Sequence, residues 1–268
     1  MDLQLKGKRA LVTGSSSGIG VGIARMLIEE GCAVVIHGRN RDRLDKVASQ
    51  IKPAGTAIGN LSTDEGAASV HDQAKTALGG HIEILVNNAG GSETDSASRP
   101  VLDIKISEWM SSFQGNTLAP VRLVQHTVPD MVSAKWGRVI NISSATALQP
   151  NGLGPDYSSA KAALNNFTSS LAFSLHSTGV TANSIICGIV MTDGLISWGR
   201  ELYGNPAMTG HEVGERMIEN KIFERPPSGR LGTIEDLGFI VCTLASPRSG
   251  FITGSNYRVD GGQVRAVS

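Results

Sequence analysis

The sequence predicts an α/β fold: one doubly wound parallel β-sheet with helices on both faces, in a single domain covering residues 1–268. Three observations carry that expectation. From Ala10 onward, short aliphatic runs alternate with longer amphipathic stretches, the pattern of repeated strand–helix units. Glycine is frequent at 32 residues while aromatics make up only 4%, which suits tight turns around a core of Val, Ile, Leu and Ala rather than a β-sandwich. The chain of 268 residues is long enough for one large core, since α/β folds often run to about 250 residues as one unit.

RALVT, beginning at Arg9, reads as the first strand. A helix follows from Ile19 to Glu30, with Ile19, Ile23, Met26 and Leu27 on one stripe and Gly31 suited to the position just past its end. CAVVIH from Cys32 is the second strand, a charged helix starts at Arg41, and ILVNN, preceded by another helix, is a further strand. Later strands are expected at 138–142 and 181–186, and a last one at 257–259 before the turn Asp260-Gly261-Gly262. No repeat, low-complexity tract or linker divides the chain. The segment 192–229 is irregular, mixing Gly199, Gly204, Pro206, Gly210, Pro226 and Pro227 with Trp198, Tyr203, Met208 and Phe223. Large apolar side chains among helix breakers suit a substrate-binding lid, or else a surface excursion with a small core of its own.

Charge and cysteine usage exclude several classes. Lys plus Arg and Asp plus Glu both number 24, so no electrostatic case exists for a nucleic-acid partner. Cys32, Cys187 and Cys242 are odd in number and lie in apolar runs, which argues for a reducing compartment rather than a disulfide framework. The N-terminus has no apolar signal region, and no window reaches the roughly 18 apolar residues of a membrane span. A soluble cytoplasmic protein without a membrane partner is expected. The six histidines show no paired ligand spacing, so no metal site is expected.

Between the first strand and first helix lies Thr13-Gly14-Ser15-Ser16-Ser17-Gly18-Ile19-Gly20. A glycine-rich turn there lets a phosphate meet free helix N–H groups and the positive end of the helix dipole. The spacing is not G-x-G-x-x-G, and no lysine follows Gly20, so a phosphate-loop NTPase is excluded. Downstream come Asn87-Asn88-Ala89-Gly90, then Asn116, Ser144 and Tyr157-Ser158-Ser159-Ala160-Lys161. In this order, from Gly7 to Gly262, they resemble the T-G-x-x-x-G-x-G, N-N-A-G, Asn, Ser and Y-x-x-x-K motifs of the classical short-chain dehydrogenase/reductase family. Arg230-Leu231-Gly232, Gly254 and Val259-Asp260-Gly261-Gly262 look closest to 3-oxoacyl carrier-protein reductases. The resemblance implies a Rossmann-like sheet, a nicotinamide dinucleotide and a small carbonyl or alcohol substrate.

The chemistry follows from the residues. Tyr157 and Lys161 are four apart in a helical pattern (Ala160, Leu164, Phe167, Leu171, Leu175), which puts them on one face. A phenol titrates near pH 10, and a neighbouring cation is expected to bring it toward neutrality. The family implies that Tyr157 is the general acid in carbonyl reduction or the base in alcohol oxidation, that Lys161 tunes it and binds the nicotinamide ribose, and that Ser144 binds the substrate oxygen. It also implies that Asn116 kinks its helix and holds a proton-relaying water. An alcohol-oxidising dehydrogenase of a sugar, steroid or secondary metabolite is the alternative within enzymes, and a non-catalytic cofactor sensor the alternative outside them. Homotetramers or homodimers are common in the family, through the helix after Asn116 and the Tyr157 helix.

For the dinucleotide, Gly14, Ser15, Ser16, Ser17, Gly18, Ile19 and Gly20 would surround the phosphates, with Asn88, Ala89 and Gly90 beside them. Gly38 stands where an acidic residue would bind the ribose of NAD, and Arg39 follows it. A guanidinium suits a 2′-phosphate, so NADP(H) is expected. Asn60-Leu61 replaces the usual Asp and aliphatic pair on the adenine side, and Asn keeps an acceptor oxygen. Cys187-Gly188-Ile189-Val190-Met191-Thr192 replaces the usual Pro-Gly stretch, with a backbone contact expected from Ile189 and a hydroxyl contact from Thr192.

Overall fold

A computed structural model describes all residues except 92–98, 151, 153 and 266–268. Its centre is one seven-stranded sheet in the order β3-β2-β1-β4-β5-β6-β7, every pair parallel. The strands are β1 (Arg9–Val12), β2 (Ala33–Gly38), β3 (Gly55–Ile58), β4 (Ile84–Asn87), β5 (Gly137–Ser144), β6 (Val180–Cys187) and β7 (Asn256–Val259). The order reverses between β1 and β4, and doubly wound sheets place ligands in the crevice at such a switch point. The third strand, not singled out by periodicity, is the short GTAI, whose burial does not alternate.

Helices α1 (Gly18–Glu29), α2 (Arg41–Ile51), α3 (Asp64–Leu78), α4 (Ile106–Phe113), α5 (Ala119–Ser133) and α6 (Pro155–Ser174) connect the strands. The stripe read in the first helix is real: Ile23 and Leu27 are fully buried, and Ile19 and Met26 pack against the same core. Full burial of such a side chain contributes about 1.5–3 kcal/mol. Gly31 ends that helix at φ +88°, a conformation that glycine adopts without the penalty of a side chain. Two apolar layers flank the sheet, one beneath α1 and α9 (Ile234–Ala245), the other beneath α3 and α5.

The 192–229 segment is more regular than its breakers suggest. It contains α7 (Asp193–Leu202) and α8 (Gly210–Glu219), the latter opened by a capping box between Thr209 and Glu212. Gly199 lies inside α7 and is buried, because an added Cβ would stand 2.2 Å from Val213 Cγ1. Its role is close helix contact rather than helix breaking.

Candidate active site

The strand ends at the switch point open into a cleft of about 740 Å³. Its wall runs from Arg39, Asn40, Arg43 and Ser62, past Gly14, Ser16, Ser17 and Ile19, to Tyr157, Lys161, Cys187 and Thr192. Asn60, Leu61, Asn88, Ala89 and Gly90 line it too. Helix α1 begins at its edge, with extended Ser17 making no side-chain cap bond, so the first-turn N–H groups and helix dipole favour an anion there.

Side chains of the glycine turn divide between cleft and core. Ser15, expected near phosphates, is fully buried, donating to Val12 O (2.7 Å) and accepting from His37 N (2.9 Å). Gly14 (φ +63°) passes so near β4 that an added Cβ would lie 2.7 Å from Ala89 Cα. Thr13 Oγ1 accepts from the amides of Asn88 (3.0 Å) and Ala89 (2.9 Å), and Asn88 Nδ2 donates back to Thr13 O (2.9 Å) and Gly14 O (3.1 Å). N-N-A-G therefore rivets the turn to β4. Asn87 Nδ2 continues inward to Asn141 Oδ1, whose own amide donates to Thr168 Oγ1 on α6, both at 2.8 Å.

At the other end, α4 passes through a π-helical turn (Gln114–Leu118) into α5, so a distortion does occur at Asn116. Asn116 Oδ1 accepts from Gly91 N (2.8 Å), and its Nδ2 donates to Gly91 O (2.9 Å) and Ser112 O (3.0 Å). Its side chain holds the loop after β4. Thr117 Oγ1 donates to Ala160 O (2.8 Å), tying the turn to α6.

Helix α6 brings Tyr157 and Lys161 together, with Lys161 Nζ 5.8 Å from the phenol ring centroid. Nζ donates to Ile142 O (2.9 Å), and burial pushes its pKa from the ordinary 10.5 down to about 8. The Tyr157 phenol is displaced upward, not toward neutrality: burial dominates, Cys187 adds to it, and a hydrogen bond with Ser144 opposes it. The expectation of a lysine-lowered phenol reverses because desolvation of the phenolate outweighs the one opposing influence, the Ser144 hydrogen bond. Ser143 and Ser144 separate cleanly. Ser143 Oγ, buried, donates to Lys161 O (3.4 Å), while the Ser144 hydroxyl bonds Tyr157 and Thr146 Oγ1 (2.9 Å).

Ser144 pairs with Cys187 across β5 and β6, and Cys187 Sγ donates to Ser143 O (3.0 Å) in a site that raises the thiol pKa by burial. Beyond it, Gly188 N donates to Val259 O (3.1 Å), Ile189 N to Gln263 Oε1 (3.4 Å) and Met191 N to Gly232 O (2.8 Å). The Ile189 amide is thus occupied by the C-terminal segment, and neighbouring Val190 pairs with Gly232 as an isolated bridge. Thr192 Oγ1 caps α7 by accepting from Leu195 N (3.3 Å), and its Cγ2 lies 3.6 Å from where a Gly18 Cβ would be. Asn60 Oδ1 accepts from Ser62 N (3.1 Å), shaping its own loop. Of the segment 192–229, Thr192 reaches this cleft, whereas Trp198, Tyr203, Met208 and Phe223 are not among its lining residues.

The short chain dehydrogenase profile matches residues 8–202. The chain belongs to the short-chain dehydrogenase family. Among its relatives is an uncharacterized oxidoreductase, YvrD, of Bacillus subtilis, 33% identical with all of both chains covered. A 3-oxoacyl-[acyl-carrier-protein] reductase of Aquifex aeolicus is 32% identical over 98% of this chain and 99% of its own. Of solved structures, L-sorbose reductase from Gluconobacter frateurii, complexed with NADPH and L-sorbose, superposes with a TM-score of 0.88 at 29% identity over the whole of both chains. A gluconate 5-dehydrogenase from Burkholderia cenocepacia, in complex with NADP and tartrate, gives 0.82 at 27% identity, covering 99% of this chain and 98% of its own. As a short-chain dehydrogenase the protein is an oxidoreductase, with sugar-converting enzymes among its structural neighbours. No helix among the described residues is long and apolar enough to cross a membrane, and no group of metal-ligating side chains is found among them.

Proposed function

We propose that this short-chain dehydrogenase is an NADP(H)-dependent reductase that interconverts a carbonyl and a secondary alcohol, with Tyr157 as its proton donor. The observation that carries the reading is one continuous cleft with Arg39 at one end and the Tyr157 phenol, bonded by Ser144 and overlain by Lys161, at the other. The turn that would cradle a dinucleotide needs glycine at both ends of its packing: an added Cβ at Gly14 would stand 2.7 Å from Ala89 Cα, and one at Gly20 2.5 Å from both Asn88 Nδ2 and Gly14 O, so a side chain at either would displace the turn from the cleft wall. Gly14, Ser16, Ser17, Gly18, Ile19, Gly20, Arg39, Asn60, Leu61, Asn88, Ala89, Gly90, Val190 and Thr192 would hold it, and Arg39 would meet a 2′-phosphate.

When bound, the nicotinamide supplies or accepts the hydride. Tyr157 does the proton work. A phenol titrates near pH 10, so its hydroxyl is protonated at neutral pH, as an acid in the reductive direction must be. Ser144 Oγ donates to the same substrate oxygen, stabilising charge as it develops. Lys161 keeps Nζ on Ile142 O, leaving its other N–H groups for a ribose hydroxyl. Asn116 fixes Gly91 beside them. The segment 192–229 would form one side of the substrate pocket, in one domain with the sheet.

The test is Tyr157→Phe: carbonyl-dependent NADPH oxidation should fall by about 100- to 10,000-fold while NADPH binding persists. Undiminished turnover would refute the assignment, and a wild type that binds NADPH but reduces no carbonyl in a broad panel would favour a sensor. Two sugar-converting structural neighbours favour a polyhydroxylated substrate over an acyl thioester, so the panel should set ketoses and sugar acids against 3-oxoacyl thioesters. A homotetramer or homodimer accords with the outward α6 stripe of Ala162, Asn166, Ser170 and Phe173, the last 84% exposed. Light scattering measures the mass.

A further inference from the structure

His37 is buried (3% exposed) one residue before the end of β2, between two walls of the Arg39 end of the cleft. Its imidazole makes two hydrogen bonds whose partners fix its chemistry. The Gly14 amide can only donate, so Nδ1, 3.1 Å away, must accept. The Gly59 carbonyl can only accept, so Nε2, also 3.1 Å away, must carry the proton. A neutral ring in one tautomer satisfies both, whereas an imidazolium has nothing to offer Gly14. Burial, the dominant influence, and then the Arg39 charge hold the ring neutral, its pKa lowered to about 4 against an opposing bond to Gly59. The His37 backbone adds two bonds to the same turn: N donates to Ser15 Oγ and O accepts from Ser15 N, both at 2.9 Å.

The consequence is a brace. Gly14 begins the turn that lines the diphosphate side of the cleft, and Gly59 directly precedes Asn60 and Leu61 on the opposite wall. One ring spans the two, directly before Gly38 and Arg39. It also turns the Gly14 amide inward, leaving ligand contacts to the amides that follow.

We propose that His37 is a positioning residue for nucleotide binding: its ring fixes the spacing between the glycine turn and the Gly59–Leu61 wall, and thereby the affinity for the phosphorylated adenosine half of the cofactor. This rests on reading the cleft as an NADP(H) site.

Three variants separate the two bonds. His37→Asn retains an acceptor near Nδ1 for Gly14, His37→Gln retains an amide donor toward Gly59, and His37→Phe keeps ring volume and neither bond. NADPH Kd by fluorescence titration, kcat and KM, and Tm are measured on each. The expected result is a Phe variant that binds NADPH roughly 10- to 100-fold more weakly, from two lost hydrogen bonds. Saturating kcat should change far less, with Asn and Gln falling between. If the Phe variant fails to fold, partial losses of affinity in Asn and Gln at unchanged kcat carry the proposal. Affinity equal to wild type in folded Phe, or in both amide variants, overturns it, as does a fall in kcat at unchanged Kd. Wild-type protein binding neither NADPH nor NADH overturns the cleft reading and this proposal together; loss of the brace alone shows as wild-type binding matched by the Phe variant.

Discussion

Cofactor choice should reside in three positions that meet at the cleft mouth: Ser16, Gly38 and Arg39. Arg39 is exposed there, and a guanidinium bound to a 2′-phosphate makes charge-assisted hydrogen bonds of about 1.5–3 kcal/mol. Screening at an open mouth favours the lower half of that range, so Arg39→Ala should weaken NADPH by roughly 10- to 45-fold and leave NADH unchanged. Gly38 constrains the reverse design. An added Cβ there would lie 2.7 Å from Ser16 Oγ and 2.8 Å from Ser16 Cβ, so Gly38→Asp alone should impair both cofactors by displacing the turn. Combined with Ser16→Gly, the carboxylate gains room to accept from ribose hydroxyls and repel a phosphate, and NADH should become preferred. Steady-state KM for each cofactor, at 0.15 M salt as an assay condition of about 8 Å Debye length, reads all three. Arg39→Ala raising both KM values equally, or Gly38→Asp switching preference without Ser16→Gly, would refute the reasoning.

Two further perturbations follow from packing and burial. Lys161, lowered from 10.5 to about 8, binds its proton less readily folded than unfolded, so stability is penalised below pH 8 and rises as pH climbs through 8 to 10.5. The full rise is about 3 kcal/mol. Urea midpoints of wild type against Lys161→Met across pH 7–10 measure it, and parallel profiles would contradict it. Gly199→Ala drives a methyl into Val213 and Met217 between α7 and α8; an overpacking cost of about 1–3 kcal/mol should lower Tm and raise substrate KM more than cofactor KM. Equal changes in both KM values would argue against a substrate role for these helices.

Legibility followed the range of the interactions. Six of the seven strands and α1 are visible because burial imposes a pattern on local sequence, as Ile23 and Leu27 show. The strand GTAI escaped because four residues without alternation carry no period. Helices α7 and α8 were hidden by glycines that a sequence reading takes for breakers, although Gly199 serves a contact with Val213, fourteen residues away. Tyr157 and Lys161 were legible as a pair from helical spacing, but the direction of the phenol shift was not. That depends on how much protein surrounds the ring, a tertiary quantity. Gln263 at the Ile189 amide had no signal at all, since nothing local connects residues 74 positions apart.

The motif residues also divide in a way that changes how mutations at this site should be read. Ser15, Thr13, Asn88, Asn116 and His37 all belong to segments whose sequence points to a dinucleotide, yet their side chains bond to protein main chain. They hold Gly14, Ala89 and Gly91 in place, and glycine backbone has too much freedom to hold such a shape unaided. A cradle that offers amides to an anion therefore needs two populations of residues, glycines that admit the ligand and polar side chains that immobilise the glycines. Loss of binding at Asn88 or Thr13 would report a displaced loop, not a lost ligand contact. The distinction is measurable, since Asn88→Ala should lower Tm of the unliganded protein along with cofactor affinity.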